Sequence, residues 1–209
     1  MWPEADNTLE LLQQVQRGDQ GAVDPLLARH RAALRRMVQL RLDPALAARV
    51  DASDIVQDAL IEANERLSEF VEKRPMPFHL WIRRIALDRL IDAHRRHRTA
   101  KKRSVDRERK PEPAHNGESS IDLMARLSAG DMTPAAAAIR AELMRRAQAA
   151  FGELSDDDRE MILMRHFECL SNREVAEALG LTDSAAAMRY MRAFRRLRSI
   201  LGEEVSKSD

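Results

Sequence analysis

A chain of 209 residues has room for one large or two small domains. Its charged residues make up 33% of the chain but balance to a formal net charge of +1, so it is not a polycation, and any affinity for nucleic acid must come from segregated charge. The single cysteine, Cys169, excludes an internal disulfide, and no apolar run reaches the roughly 18 residues of a membrane span. The start, Met1-Trp2-Pro3-Glu4, lacks the basic-then-apolar layout of a signal peptide, so a cytoplasmic protein is expected, with Cys169 as a small buried apolar side chain. Few glycines, 4% aromatic residues and no long period-two alternation predict an all-α fold.

In chain order, Thr8 is expected to cap a short helix bearing Leu9, Leu12 and Val15 and stopped by Gly18. Asp19 opens a second helix with Leu26, Leu27, His30, Leu34, Met37, Val38 and Leu42 on one face. His30 has no second ligand at metal-site spacing and reads as structural. From Asp51 to Glu72 the acids Asp54, Asp58, Glu62, Glu65, Glu69 and Glu72 recur at steps of three and four, one stripe on one long helix. Val56, Leu60, Ala63, Leu67 and Val71 form the opposing core stripe. Ile55, Gln57, Ala59 and Ile61 interleave with the acids and would give a basic protein surface an apolar grip.

Arg74-Pro75-Met76-Pro77 ends that helix. The next carries Phe78, Trp81, Ile82, Ile85, Leu90 and Ala93 inward, with Trp81 as a core anchor, and Arg83, Arg84, Arg95, Arg96 and Arg98 make it strongly basic. Between Ser104 and Met132 the apolar period fails, and Pro, Gly and Ser among charges read as a mobile linker with a short helical piece near Ile121–Leu127. Thr133-Pro134 opens a helix with Ile139, Leu143, Ala147 and Phe151 buried, and Ser155 caps another with Ile162, Leu163 and Phe167.

The last stretch reads as a helix-turn-helix. Ser171 and Glu174 have capping-box spacing, Val175, Ala176 and Leu179 share a face, and Gly180 is the stop. Thr182 or Asp183 caps a second helix, with Tyr190, Phe194, Leu197 and Leu201 expected toward the bundle and Arg189, Arg192 and Arg196 outward. The arginines would neutralise phosphates while the start of the helix reaches base edges. No nucleophile with its base, metal cluster or phosphate-cradling glycine loop stands out, so neither catalysis nor a cofactor is expected.

Three segments in this order resemble the bacterial RNA polymerase sigma factors of the extracytoplasmic-function type. Asp51-Ala52-Ser53-Asp54-Ile55-Val56-Gln57-Asp58 is similar to their core-binding helix, and Trp81-Ile82-Arg83-Arg84-Ile85-Ala86 with Leu90-Ile91-Asp92-Ala93-His94-Arg95-Arg96 to the promoter-melting helix. Glu174-Val175-Ala176-Glu177-Ala178-Leu179-Gly180-Leu181 is similar to the start of their distal reader. The Trp81 segment with Arg103-Ser104-Val105-Asp106-Arg107-Glu108 also resembles a branch known from planctomycete-like bacteria.

The resemblance implies two helical domains, residues 1–103 and 133–201, a linker at 104–132 and a tail from 202. It implies that Asp54, Ile55, Gln57, Asp58, Ile61 and Glu62 dock on the clamp helices of core RNA polymerase. Arg83, Arg84, Arg95, Arg96 and Arg98 would engage the proximal promoter element and help take a base out of the stack. Thr182, Ser184, Ala185, Met188, Arg189, Arg192 and Arg196 would meet the distal element. The reader helix starts Ala-rich and with no basic residue, so phosphate contacts and DNA shape would supply most of the recognition. Such factors are monomers when free and commonly close on themselves or on an anti-sigma protein, and nothing in this sequence identifies that partner. The rival reading is a stand-alone helix-turn-helix regulator with a helical dimerisation or sensor domain, which explains Ser171–Leu201 but not the acidic stripe.

Overall fold

The structure, a computed structural model, describes residues 2–3, 5–42, 44–105 and 133–206, and every element among them is helical. Two compact units divide the chain, Met1–Gly117 and Glu118–Asp209. The expected helical piece at Ile121–Leu127 and most of the expected linker lie outside the described residues.

The first unit holds α1 (Ala5–Gln16), α2 (Val23–Gln39), α3 (Pro44–Ala47), α4 (Ala52–Glu65), α5 (Leu67–Lys73) and α6 (Phe78–Val105). Helix α4 packs against both α2 and α6, so its inward residues Val56, Ala59, Leu60 and Ala63 sit at the centre of the core. The α2 stripe is buried as its spacing predicts, from Leu26 to Val38. Burying each such side chain stabilises the fold by about 1.5–3 kcal/mol relative to exposure. Helix α1 begins at Ala5 and not at Thr8, which is buried inside it, while Leu9 turns outward. Gly18, at φ +89, provides the turn after it, and Asp19 caps a single 3-10 turn leading into α2, its carboxylate accepting from the Gly21 amide at 2.9 Å.

Asp51 starts α4, its carboxylate accepting from the Ser53 amide at 2.7 Å, a bond that holds this carboxyl below the usual carboxylate range. The acidic stripe does not lie on one helix. The chain breaks at Arg66 (φ −99, ψ 3), and α5 starts afresh at Leu67. Leu67, Phe70 and Val71 are all buried, and α5 packs on α1. The break re-aims the second segment toward a neighbour that a straight continuation of α4 would not serve. Arg74 then closes α5 in the left-handed region (φ 38), donating its amide to Phe70 O at 2.7 Å and its guanidinium to Gln16 at 3.0 Å.

Phe70, Phe78 and Trp81 form an aromatic knot, with centroids 4.5 Å apart for Phe70–Trp81 and 5.3 Å for Phe70–Phe78. Trp81 is 8% exposed, the core anchor expected. His30 joins the knot edge-on to Phe78 at 4.9 Å, and Trp2 covers His30 and His79. His30 lies with Nδ1 2.9 Å from Leu26 O, and its Nε2 is buried without a hydrogen-bond partner. Burial, opposed by that bond and reinforced by His79 and Arg29, pushes its pKa down to about 4.

The second unit holds α7 (Pro134–Glu153), α8 (Asp156–Ile162), a π-helical turn over Leu163–Phe167, α9 (Asn172–Leu179) and α10 (Asp183–Ser206). Thr133 and Ser155 cap α7 and α8 as expected, accepting from the Ala136 and Asp158 amides. Arg159 of α8 donates to the carbonyls of Phe151, Gly152 and Leu154, which the end of α7 leaves without helical partners. Ile162 and Leu163 are buried and Phe151 and Phe167 half-buried; the side chains of Ile139 and Leu143 lie outside the described residues. Cys169 is exposed and not buried; it lies just past the π turn and its Glu168 cap, with φ at 58.

The Ser171 capping box forms in full: Glu174 N donates to the Ser171 hydroxyl at 3.2 Å, and Ser171 N donates to the Glu174 carboxylate at 2.7 Å. Gly180 ends α9 at φ +64, and Thr182 caps α10 by accepting from the Ala185 amide at 3.2 Å. The bundle-facing stripe of α10 differs from expectation. Ala186 and Ala193 are fully buried, Tyr190, Leu197 and Leu201 half-buried, and Phe194 is 42% exposed. Small residues let α10 approach its neighbours closely and turn the larger rings to the flank, where Tyr190 and Phe194 pack on His166. Gly202 does not stop the helix, which runs to Ser206; a lone helical glycine costs only about 1 kcal/mol.

Candidate nucleic-acid and protein interfaces

The outer row of α4 follows from its heptad-like spacing. Asp54, Gln57, Asp58 and Ile61 are exposed, Ile61 at 50%, and all stand opposite the core residues Val56, Leu60 and Ala63. Ile55 does not join them. It is 3% exposed and packed in the core, as is Ala59, because at 100° per residue both fall on the inward half of the helix. The apolar grip of this face therefore reduces to Ile61. Gln57 accepts from Arg31 of α2 at 2.9 Å, which fixes its carbonyl.

Glu62 is half-buried and already engaged. Arg66 of the same helix and Arg89 of α6 each approach it to 2.9 Å, and Arg89 reaches on to Asp92, which lies 4.0 Å from Arg95. This chain of charges ties the acidic face of α4 to the basic helix α6. Arg89 carries no signal in the sequence beyond its charge, since its partner lies 27 positions away. Further on, Glu69 pairs with Lys73 at 2.8 Å, which lowers the carboxyl and raises the ammonium from their ordinary values.

On α6 the expected arginines divide. Arg84, Arg95 and Arg96 are exposed. Arg83 is 3% exposed, on the buried side of α6 with its neighbour Ile82, and so offers no surface beside the other three. The side chain of Arg98 lies outside the described residues. Beside this helix is a surface hollow of about 270 Å³, lined by Phe70, Trp81 and Ile85 and by the charged residues Arg66, Glu69, Lys73, Arg84 and Asp88. Arg66 and Lys73 come from segments that read as acidic, so their place on this rim is visible only once α5 folds back beside α6.

On α10, Thr182, Ser184, Met188, Arg192 and Arg196 are exposed, and Ala185 and Arg189 are half-buried on one flank. Asn172 of α9 donates to Asp183 O at 2.7 Å, locking the two helices at their junction. Arg196 lies 3.9 Å from Asp158 of α8, so it is partly neutralised before any phosphate arrives. Met191, exposed at 44%, stands on the same outer face; its position three residues after Met188 is the signal for it. No Asp or Glu stands between Asp183 and Glu203. Among the described residues no helix is long and apolar enough to cross a membrane.

Residues 26–100 match the family described as sigma-70 region 2, and residues 144–197 that described as sigma-70, region 4. The RNA polymerase sigma factor CnrH of Cupriavidus metallidurans is 29% identical over 200 residues, spanning 94% of this chain and 95% of its own. The RNA polymerase sigma-H factor of Pseudomonas aeruginosa is 26% identical over 186 residues, 88% of each. The solved structure of CnrH in complex with the cytosolic domain of CnrY is similar at a TM-score of 0.59 and 25% identity, over 96% of this chain and 99% of that one. A stand-alone regulator would account for the region 4 match alone. With both regions matched in order, over more than half of its length, the chain belongs to the sigma-70 family as a sigma factor of the extracytoplasmic-function type, a transcription initiation factor that works with core RNA polymerase on promoter DNA and not an enzyme.

Proposed function

We propose a division of labour in which residues 1–103 engage core polymerase and the proximal promoter element, and residues 133–201 the distal element. The exposed row Asp54–Gln57–Asp58–Ile61 carries this reading: acids around one aliphatic side chain complement a basic partner that also buries an apolar group. Those four residues dock on the clamp helices of the polymerase. Glu62 acts from behind, holding Arg66 and Arg89.

Arg84, Arg95 and Arg96 track the phosphates of the proximal element, and the hollow over Phe70 and Trp81 receives the base taken out of the stack. Unstacking costs a few kcal/mol, which aromatic contact and the Arg84 guanidinium on the rim offset. In the second unit the start of α10 enters the major groove, and Arg189, Arg192 and Arg196 neutralise phosphates. CnrH is solved with the cytosolic domain of CnrY, and by extension this chain would have an anti-sigma partner of its own and a cytoplasmic place of work.

The experiment is a pull-down of core polymerase by the purified chain, followed by run-off transcription on genomic fragments. New start sites that vanish with Asp54→Arg/Asp58→Arg are expected. Unchanged core affinity in that variant would sink the assignment of the α4 face.

A further inference from the structure

We propose that Met188 and Met191 read thymine methyl groups on neighbouring base pairs of the distal promoter element. The inference rests on the reading above that α10 enters the major groove. The outer face of α10 is set by its buried opposite, Ala186 and Ala193. Going outward from these, the helix presents Ser184, Met188, Met191 and Arg195, at steps of four, three and four.

The hydrogen-bonding means of this surface are sparse. Residues 185 to 187 are all alanine, the Thr182 hydroxyl accepts the Ala185 amide as a cap, and Arg189 lies half-buried on the flank. Ser184 supplies one exposed hydroxyl at the start of the row. What projects furthest is thioether: Met188 is 60% exposed and Met191 44%. The face is framed by Arg192 and Arg195 and free of acids until Glu203. That charge suits a nucleic acid and opposes a basic partner.

In the major groove the apolar group on offer is the thymine C5 methyl. Methionine is unbranched and adaptable, and fits such a contact without demanding one fixed geometry. The two side chains are separated by about 4.5 Å along the helix, more than one base-pair step of about 3.4 Å, which places their targets on adjacent pairs.

The test replaces each thymine of the distal element, one at a time, with deoxyuridine, which removes the methyl and keeps every hydrogen bond. Holoenzyme binding is measured by competition on a promoter found by run-off. The expected result is a loss of about fourfold at each of two neighbouring positions, the effect of one buried carbon. With Met188→Ala/Met191→Ala the thymine and deoxyuridine promoters should bind equally; both side chains are exposed, so the fold should not change. A footprint over the distal element with no uracil effect anywhere would overturn the methyl readout alone. An equal uracil effect in the variant would do the same. Absence of any distal footprint would overturn the reading beneath it. If the variant weakened binding to thymine and uracil promoters alike, the face would be touching protein and not methyl groups, and the proposal would fall.

Discussion

His30 shows how one residue can be read correctly for its role and still conceal its consequence. The spacing of α2 places it inward, and it lies wholly buried among Phe78, Trp2 and the Leu26 carbonyl, with His79 and Arg29 nearby. Its folded-state pKa, lowered to about 4 from 6.5, means that the unfolded chain takes up a proton which the folded chain refuses. Stability from this residue is therefore complete above about pH 6.5 and is lost as the pH falls toward 4, by about 3 kcal/mol at most. Amide hydrogen exchange in α2, followed from about pH 7.5 down to about 4.5, should show protection falling on that slope. His30→Phe should flatten it; a variant with the same slope would remove His30 as the cause. At the same scale, Ser171→Ala removes one half of a complete capping box and should destabilise the second unit by about 1 kcal/mol in a thermal melt. The cap is legible in the sequence because it is a local pattern. The burial of Ile55 and Arg83 is not, because both sit at the edge of a face whose width depends on how close a neighbouring helix comes.

Helix α4 reads in the sequence as the first half of a longer element, and its break at Arg66 separates local information from tertiary information. Nothing in Ala63-Asn64-Glu65-Arg66-Leu67 forbids a helix. The break is imposed by Phe70 and Val71 turning onto α1 and the aromatic knot. Its effect on the site is to divide four of the six acids into three kinds: Asp54 and Asp58, exposed on the outer row; Glu62, committed to Arg66 and Arg89; and Glu69, paired with Lys73 on a different segment. Asp58→Arg should therefore lower core-polymerase affinity about tenfold or more, with an unchanged melting temperature. Glu62→Gln should leave affinity within about threefold and cost at most about 1 kcal/mol of first-unit stability, as expected for a partly exposed pair. Equal losses of affinity from both variants, read in one titration with core enzyme, would contradict this distinction. In α10 the reverse holds: the arginine row and the cap are legible in the sequence, whereas the stripe facing the bundle reads there as large side chains and is in fact packed by alanines.

At the scale of the whole molecule, a net charge of +1 hides an acidic face on one unit and a basic helix on the other. Two associations with opposite electrostatics should follow, both weakened by salt. For the DNA contact the slope counts charges: Arg192→Ala should reduce the dependence of log affinity on log salt by about one unit. Arg196→Ala should reduce it by less, since Asp158 already lies 3.9 Å from that guanidinium. Titration of holoenzyme against promoter DNA between low and physiological salt distinguishes the two; equal slopes for both variants would refute the difference. The order of the domains and their helical class are legible in the sequence, because amphipathic spacing and caps repeat within each element. The charge relay from α4 to α6 and the hollow between α5 and α6 are not, since each joins residues whose proximity only the fold creates.

The aromatic knot of the first unit has an optical consequence. Both tryptophans of the chain, Trp2 and Trp81, lie there, and the single tyrosine, Tyr190, lies in the second unit. Light that tyrosine does not absorb will excite the first unit alone. Trp2 rests against His30 and His79, while Trp81 forms part of the floor of the hollow beside α6. The protein thus carries two native fluorophores in one domain, one packed on a pair of histidines and the other placed to sense what enters the hollow.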